Sequence, residues 1–228
     1  RIPARICSIV RSSARVATRA LERTIEQIRA GMRETQIAGI LEKALRDEGS
    51  EGFPFPTIVA SGPRSALPHA RSTAREVQRG EFLLMDFGAE IGGYCADVTR
   101  TVVVGRADED QRAFYDVVRG ANQRAASRVR AGMSGRDADA LARDYIQQRG
   151  LAELFGHSLG HGLGLEVHEA PRLSKSAEGA LAEGAVVTIE PGIYRPDWGG
   201  VRIEDDVHLG PDGPSILTHF SRELIELG

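Results

Sequence analysis

The amino-acid sequence predicts an α+β fold in which two related halves share one core. The first observation behind this prediction is a repeat, because Arg-Ala-Gly-Met occurs at residues 29–32 and again 101 residues later, at 130–133. The second is that helical periodicity is followed by strand-like sequence in each half. The third is that acidic residues recur at matching places in the two strand-like regions.

Each half begins with two segments whose apolar residues recur at steps of three and four, which predicts two amphipathic helices. Gly31 and Gly132 follow the first segment, and Gly49 and Gly150 follow the second, as is common at helix C-termini. The first 21 residues contain five arginines and no acid, but their apolar stripe favours an opening helix over a targeting segment. The apolar positions are Ala17, Ala20, Leu21, Ile25 and Ile28, then Ile37, Ile40, Leu41, Ala44 and Leu45 in the first half, and Phe114, Val117, Val118, Ala121 and Ala125, then Ala138, Leu141, Ala142 and Tyr145 in the second.

A β-hairpin is predicted after each helix pair. Residues 82–89 and 94–104 predict a hairpin that turns at Gly92 and Gly93. Residues 186–194 and 201–209 predict a second hairpin that turns near 196–200. Because no low-complexity linker separates the halves, we expect residues 1–228 to form a single domain with pseudo-repeat halves at about 1–105 and 106–228.

Four acidic residues lie within otherwise apolar strand sequence, namely Asp86, Asp97, Glu190 and Glu204. A buried carboxylate is costly unless it is paired or bound to a metal, so four at matching places predict a common site where the halves meet. Clustered carboxylates cannot all stay ionised without a cation. We therefore expect two divalent ions, best Mn(II), with Co(II), Fe(II) and Zn(II) also compatible.

Residues 156–169 contain three of the six histidines in a glycine-rich segment. His157 and His161 have the spacing of the zincin helix motif, but Ser158 stands where that motif needs glutamate, and the glycines oppose a helix. The alternating glycines at 160–164 do not form a dinucleotide-binding motif either. Beside the four carboxylates, this histidine cluster is expected to supply the imidazole ligand of the site.

The composition argues against nucleic-acid and membrane partners. The formal net charge is only -3, and no apolar run approaches the roughly 20 residues that span a bilayer. Cys7 and Cys95 lie far apart and form no disulfide or thiolate pattern, so we expect two reduced thiols in a cytoplasmic protein.

The five-ligand pattern resembles that of the pita-bread (M24) metallopeptidases, and the resemblance covers nearly the whole chain. It implies the pita-bread fold, in which two pseudo-symmetric halves form a curved antiparallel sheet with outer helices. It also implies that Asp97 and Glu204 bridge two ions, that Asp86 binds one ion, and that His161 and Glu190 bind the other.

Within this family, the sequence is similar to the proline-directed branch. The similarity lies in Gly-Val-Arg-Ile-Glu-Asp-Asp at 200–206, Ile-Glu-Pro-Gly-Ile-Tyr at 189–194, the segments 55–63 and 67–69, and His157. It implies an Xaa-Pro aminopeptidase that hydrolyses the first peptide bond of a peptide with a free N-terminus through a metal-bridging hydroxide. A homodimer is compatible with it. The additional N-terminal domain that this branch commonly carries is expected to be absent, and single-domain size by itself favours a methionine aminopeptidase.

Three alternatives stay open at this point. A prolidase would take only Xaa-Pro dipeptides, and a methionine aminopeptidase would not need proline. A non-catalytic pita-bread binding module would be expected to have substituted ligand positions, whereas all five are present here.

The resemblance also implies roles around the metals. Glu190 is expected to shuttle a proton, His168 to stabilise the oxyanion, and His157 to take part in turnover of Xaa-Pro substrates. Sheet packing would equally explain Tyr194, and an ion pair with a neighbouring carboxylate would equally explain Arg202. The expected substrate-binding residues are His69, His157, His168, Tyr194 and Arg202.

Overall fold

The computed structural model describes residues 4–228, with side chains from Cys7 onward, so the first three residues of the predicted opening segment lie outside the described residues. The helices are α1 (Ala4–Ile25), α2 (Glu34–Asp47), α3 (Glu109–Arg128) and α4 (Gly135–Gln147), with short 3₁₀ turns at Gly62–Ala66 and Ala152–Leu154. The strands are β1 (Ile58–Ser61), β2 (Glu81–Ile91), β3 (Tyr94–Val104), β4 (Gly160–Gly162), β5 (Glu169–Leu173), β6 (Val186–Ile189), β7 (Gly192–Arg195), β8 (Gly199–Arg202), β9 (Asp205–Gly210), β10 (Gly213–Ile216) and β11 (Glu226–Leu227).

The internal repeat is confirmed by the backbone. Gly31 and Gly132 have φ angles of 87° and 85°, and Gly49 and Gly150 have φ angles of 102° and 73°. Left-handed backbone of this kind favours glycine and ends a helical segment. The two halves therefore use glycine at the same two turns.

The first helix of the first half ends earlier than its apolar stripe predicts. Helix α1 ends at Ile25, although Ile28 is still buried. Beyond it, the backbone N–H of Gly31 bonds to the Val77 carbonyl (2.8 Å), and Gly132 makes the matching bond to Leu181 (2.8 Å). Matching long-range bonds therefore hold the chain after the first helix of each half.

The first hairpin is confirmed, including its turn at Gly92 and Gly93. The second hairpin forms with the predicted antiparallel pairing, but each of its strands is broken in two, which the sequence did not predict. Strand β6 pairs with β9 and β7 pairs with β8, while Glu190 and Glu204 lie in the breaks between them. Their N–H groups bond outside the hairpin, Glu190 to Leu159 O (2.8 Å) and Glu204 to Thr99 O (3.1 Å), and so leave the ladder.

The strands form hydrogen-bonded groups of four, five and two, with antiparallel pairs except where β11 runs parallel to β3. The apolar core consists of one large cluster for each half and a smaller one that joins them, in which Ala14 and Cys95 accompany Leu163 and Val186. Cys7 and Cys95 are free and buried. None of the described helices has an apolar stretch long enough to cross a membrane.

Candidate dinuclear metal centre

Five side chains with metal-ligating atoms converge where the two halves meet. Ligand atoms of Asp86, Asp97 and Glu204 lie within 4.8 Å of one another, and so do those of His161, Glu190 and Glu204. Glu204 belongs to both groups, which is the position that a bridging ligand needs. The structure thus brings together all five residues predicted as ligands, while their assignment to individual ions stays a prediction.

The register of the first hairpin explains how its two aspartates meet. Asp86 lies opposite Thr99, and Asp97 lies opposite Gly88, so both carboxylates project from one face of the β2–β3 pair. A side chain at Gly88 would place its Cβ atom 2.5 Å from the Ala96 carbonyl oxygen. Glycine at this position therefore keeps the two strands close enough for the aspartates to share a site.

The carboxylates have fewer hydrogen bonds than their burial demands. Arg202 Nη2 donates to Asp86 Oδ2 (2.5 Å), and Thr99 Oγ1 donates to Glu204 Oε2 (2.6 Å). In contrast, Asp86 Oδ1 and Asp97 Oδ1 are buried and have no hydrogen-bond partner among the described residues. Because buried polar atoms are almost always paired, we expect these two oxygens to bind cations.

The charge of the cluster also favours a cation. Burial raises the pKa of Asp97 well above its ordinary range, and the neighbouring Glu204 and Asp86 raise it further. Burial raises the pKa of Glu204 well above normal in the same way, and it raises the pKa of Glu190 to about 8. Carboxylates this close cannot all be ionised at neutral pH unless a positive charge lies among them.

His161 is held in the form that ligates a metal. Its Nδ1 lies 3.0 Å from the Gly162 carbonyl oxygen, so Nδ1 carries the proton and Nε2 keeps its lone pair. Nε2 lies 3.4 Å from Glu190 Oε1 and 3.7 Å from Asp97 Oδ2. Burial lowers the pKa of His161 to about 4, so the imidazole is neutral at pH 7. The Nε2 lone pair of a neutral His161 faces two carboxylate oxygens that, when they are ionised, can only accept hydrogen bonds. A cation between these three atoms would bind all of them.

These observations fit two divalent ions. Four carboxylates and one neutral imidazole form a donor set that suits Mn(II), Fe(II), Co(II) or Zn(II). When bound, such ions would supply Lewis-acid activation of water and of a peptide carbonyl group.

Three of the predicted substrate residues form a directional hydrogen-bond chain. Arg202 Nη1 donates to the Tyr194 hydroxyl (3.0 Å), and that hydroxyl lies 2.8 Å from His157 Nε2. His157 Nδ1 donates in turn to the Ser158 carbonyl oxygen (2.7 Å). Burial, reinforced by nearby Arg202, lowers the pKa of His157 to about 4, so this histidine accepts from tyrosine as a neutral ring. Both ring nitrogens of His157 have hydrogen-bond partners. A substrate in the cavity can therefore contact the carbon atoms of the ring but not a free polar atom.

The structure distinguishes between the alternatives left open for Tyr194 and Arg202. Arg202 is buried and forms an ion pair with Asp86, so it orients a predicted metal ligand. Tyr194 is also buried and lies behind His157 and Arg202, outside the residues that line the cavity. Tyr194, predicted as a substrate-binding residue, therefore lies where it can orient these two neighbours rather than in the wall of the cavity.

Tyr194→Phe is expected to lower kcat/KM for the predicted Xaa-Pro substrates about tenfold, equivalent to about 1.4 kcal/mol, because it removes one buried hydrogen bond. Mn(II) affinity should not change, since Tyr194 is connected to a predicted metal ligand only indirectly, through Arg202. Steady-state kinetics and Mn(II) titration would test this. Tyr145→Phe, on α4 and away from the site, is the matched control. Equal kinetics in the two variants would contradict the proposed orientation.

An open cavity of about 830 Å³ contains the ligand cluster and extends towards α2. His69, His157, His168 and Arg202 line it, as predicted for substrate-binding residues. The rings of His168 and His161 have centroids 4.3 Å apart, so His168 stands directly beside the ligand cluster. His168 can also join Asp97 and His161 in a third group of ligand atoms, an arrangement that the sequence did not indicate.

Arg172 is a residue of this site that sequence reasoning missed. It lines the cavity and is opposite His161 in the β4–β5 register. Among the described residues, its side chain has no hydrogen bond or ion pair, and its charge influences the pKa of Glu190. No local motif marks Arg172, because its place beside His161 depends on strand pairing.

Comparisons with known proteins agree with this geometry. The model of metallopeptidase family M24 matches residues 8–211. A relative named Xaa-Pro dipeptidase from Pyrococcus furiosus is 44% identical over 95% of this chain and 62% of its own length. An X-Pro aminopeptidase structure from Thermotoga maritima has a TM-score of 0.94 at 44% identity, covering 97% of this chain and 62% of that one. An Xaa-Pro dipeptidase structure from Bacillus anthracis has a TM-score of 0.96 at 43% identity, covering 98% and 63%.

The chain therefore spans less than two thirds of the length of these relatives. Within that span, the structural similarity confirms the predicted pita-bread fold. The names of these relatives confirm the predicted similarity to the proline-directed branch. Together with a family model that matches most of the sequence, it identifies the chain as a member of metallopeptidase family M24.

Proposed function

We propose that this chain carries the catalytic site of an Xaa-Pro dipeptidase that uses two divalent metal ions. The observation that carries the proposal is the convergence of Asp86, Asp97, His161, Glu190 and Glu204 on one cavity. The relatives named Xaa-Pro dipeptidase favour this specificity over the aminopeptidase expected from the sequence motifs. The identity of the metal, a homodimer and a cytoplasmic location stay predictions.

Arg172 supports a dipeptide substrate. In an Xaa-Pro dipeptide, the free carboxylate lies one residue beyond the scissile bond, so a cation in the cavity near the metal ligands can pair with it. Arg172 is exposed, lines the cavity and has no ion pair among the described residues. Its planar guanidinium can bind a carboxylate through two parallel hydrogen bonds. In a longer peptide the same position would hold a neutral amide group, which binds the Arg172 guanidinium more weakly than a carboxylate does.

The other side chains would bind the substrate and move protons. Asp86 offers an acceptor to the substrate's free amine, which directs cleavage to the first peptide bond. His168 can donate to the carbonyl oxygen as it gains charge. Glu190 accepts a hydrogen bond from Thr188 Oγ1 (3.3 Å) and can carry a proton from water to the leaving proline nitrogen. The His157 ring, held by Tyr194, would form a wall against the proline ring.

A digest of three peptides with added Mn(II), analysed by mass spectrometry, tests the proposal. We expect cleavage of Ala-Pro, with little or no release of alanine from Ala-Pro-Ala-Ala and no cleavage of Met-Ala-Ser. Efficient cleavage of the tetrapeptide would instead establish an Xaa-Pro aminopeptidase, and loss of methionine alone would indicate the methionine branch. If the chain binds Mn(II) and cleaves none of the three, the proposed activity of this chain would be wrong.

Arg172→Gln is expected to raise KM for Ala-Pro about tenfold, which corresponds to about 1.4 kcal/mol of lost substrate binding. The physical reason is loss of a charge-assisted pair with the substrate carboxylate. Ala-Pro amide, which lacks that carboxylate, should be a weak substrate of the parent chain and should be affected much less by the substitution. A KM unchanged for Ala-Pro would remove the main structural argument for dipeptide specificity.

The Xaa-Pro aminopeptidase remains the second candidate because one feature of the cavity favours it. The cavity continues along α2, where Thr35, Gly39 and Glu42 line it. This extension provides room beyond that needed for a dipeptide, and the Thermotoga maritima relative is named X-Pro aminopeptidase. The tetrapeptide arm of the digest separates the two candidates.

A further inference from the structure

A buried amide on α3 contacts the segments of both glutamate ligands. Asn122 Nδ2 donates to the carbonyl oxygen of Ile189 (3.0 Å) and to that of Ile203 (3.1 Å). Ile189 immediately precedes Glu190, and Ile203 immediately precedes Glu204. Asn122 is fully buried, so water does not compete for these bonds. One side chain thus connects the two segments that present the glutamate ligands.

The chemistry of the contact determines the orientation of the amide. If the amide were turned over, its oxygen would face two carbonyl oxygens, which accept hydrogen bonds and cannot donate them. The NH₂ group must therefore face Ile189 and Ile203. The Asn122 Oδ1 atom is then left buried without a partner among the described residues. An unpaired buried polar atom is rare in native proteins and calls for an explanation. The two hydrogen bonds at the other end of the Asn122 amide provide one.

Both glutamates lie where the strand ladder does not hold them. Glu190 follows the end of β6, and Glu204 lies between β8 and β9. Their backbones are held by contacts from other elements, which are Glu190 N–H to Leu159 O (2.8 Å), Glu204 N–H to Thr99 O (3.1 Å) and Arg100 Nη1 to Glu204 O (2.6 Å). Each of these contacts acts on one glutamate alone. Two contacts are shared by both segments, namely the direct bond from Ile203 N–H to Pro191 O (3.4 Å) and the Asn122 amide. The Asn122 amide is the only side chain among the described residues that donates to both segments, so it contributes to how far apart they lie.

We propose that Asn122 is a positioning residue of the metal centre, which helps to set the separation of Glu190 and Glu204 through its two hydrogen bonds to the preceding carbonyl groups. This inference rests on the ligand set proposed above. Asn122 does not line the cavity and does not contact substrate. Its loss should therefore act on metal binding and on kcat, while KM for the dipeptide stays close to that of the parent chain.

The test compares Asn122→Leu and Asn122→Ser with Gln111→Leu. Leucine keeps the branched shape and the number of side-chain heavy atoms and removes both hydrogen bonds. Serine is smaller and keeps a single donor, so it serves as the second variant if the leucine variant does not fold. Gln111 is the matched control, because it is a buried amide on the same helix that donates to the Gly80 carbonyl (2.8 Å), away from the glutamates. Its loss should lower thermal stability without weakening metal binding.

Mn(II) titration followed by electron paramagnetic resonance and the visible spectrum of the Co(II)-loaded chain are the readouts. We expect the Asn122 variants to bind Mn(II) roughly 10-fold to 100-fold more weakly and to show an altered Co(II) spectrum, with Gln111→Leu unchanged in both. Parent-like affinity and spectrum in Asn122→Ser and Asn122→Leu would overturn the inference, as would equal weakening in Gln111→Leu. Failure of the parent chain itself to bind two Mn(II) ions would instead overturn the metal centre and the inference with it.

Discussion

Glu204→Gln is expected to abolish hydrolysis of Xaa-Pro substrates, with a loss of at least about a thousandfold, or about 4 kcal/mol of transition-state stabilisation. Glu204 belongs to both groups of ligand atoms, so its neutralisation weakens the binding of both ions. The parent chain should be stabilised against unfolding by added Mn(II), because a ligand that binds only the folded state raises its stability. Glu204→Gln should lose most of that stabilisation.

The same substitution should have the opposite effect when metal is removed by a chelator. Burial, with Glu190 and Asp86 nearby, raises the pKa of Glu204, so its charged form destabilises the folded chain at neutral pH when no cation is present. Replacing it by a neutral amide is therefore expected to raise the unfolding midpoint of the chelated protein. Thermal unfolding with Mn(II) and with chelator measures both effects, and Glu166→Gln, at an exposed residue outside the cluster, is the control. Near-native turnover in Glu204→Gln would show that the proposed ligand set is wrong.

Arg202→Met is expected to give the largest loss of folding stability, about 3–5 kcal/mol in chelated protein. Arg202 is 3% exposed and pairs with Asp86, so its removal leaves a buried carboxylate without its counter-charge. The Thr99 and Tyr194 hydroxyls lose a donor at the same time. Because Asp86 is a proposed metal ligand, saturating Mn(II) should restore part of the stability by supplying another positive charge.

Urea unfolding with and without Mn(II) would measure this effect. Arg119→Met is the matched control, since Arg119 pairs with Glu223 at the surface and such exposed pairs contribute at most about 1 kcal/mol. Comparable losses in the two variants would mean that the Arg202–Asp86 pair is not the buried, costly interaction described above. A loss that Mn(II) does not reduce would argue against Asp86 as a ligand.

Much of the fold and of the candidate site could be predicted from the sequence, because the determining signals are local. The apolar periodicity of Ile37 to Leu45 requires only neighbouring residues on one helix face to define α2. The hairpin turn at Gly92 and Gly93 is similarly local. Carboxylates such as Asp86 and Asp97 could be identified because buried charge in an apolar strand is costly whatever the fold.

The breaks in the strands of the second hairpin could not be predicted from the same kind of signal. Its apolar residues continue through Glu190 and Glu204, and the pattern therefore indicates unbroken strands. The breaks arise because the N–H groups of these glutamates bond to Leu159 and Thr99, which belong to distant parts of the chain. Periodicity carries no information about such competing partners.

The sequence by itself determined the two related halves, their helix and glycine order, and the five residues that could hold metals. Only the tertiary structure decided that Arg202 pairs with Asp86, 116 residues away, and that Tyr194 lies behind His157. It also placed Arg172 beside His161 through strand pairing and Asn122 between the two glutamate segments. The physical reason is that helix faces, turns and the cost of buried charge depend on the local sequence, whereas the partner of a buried polar group depends on which distant segments pack against it.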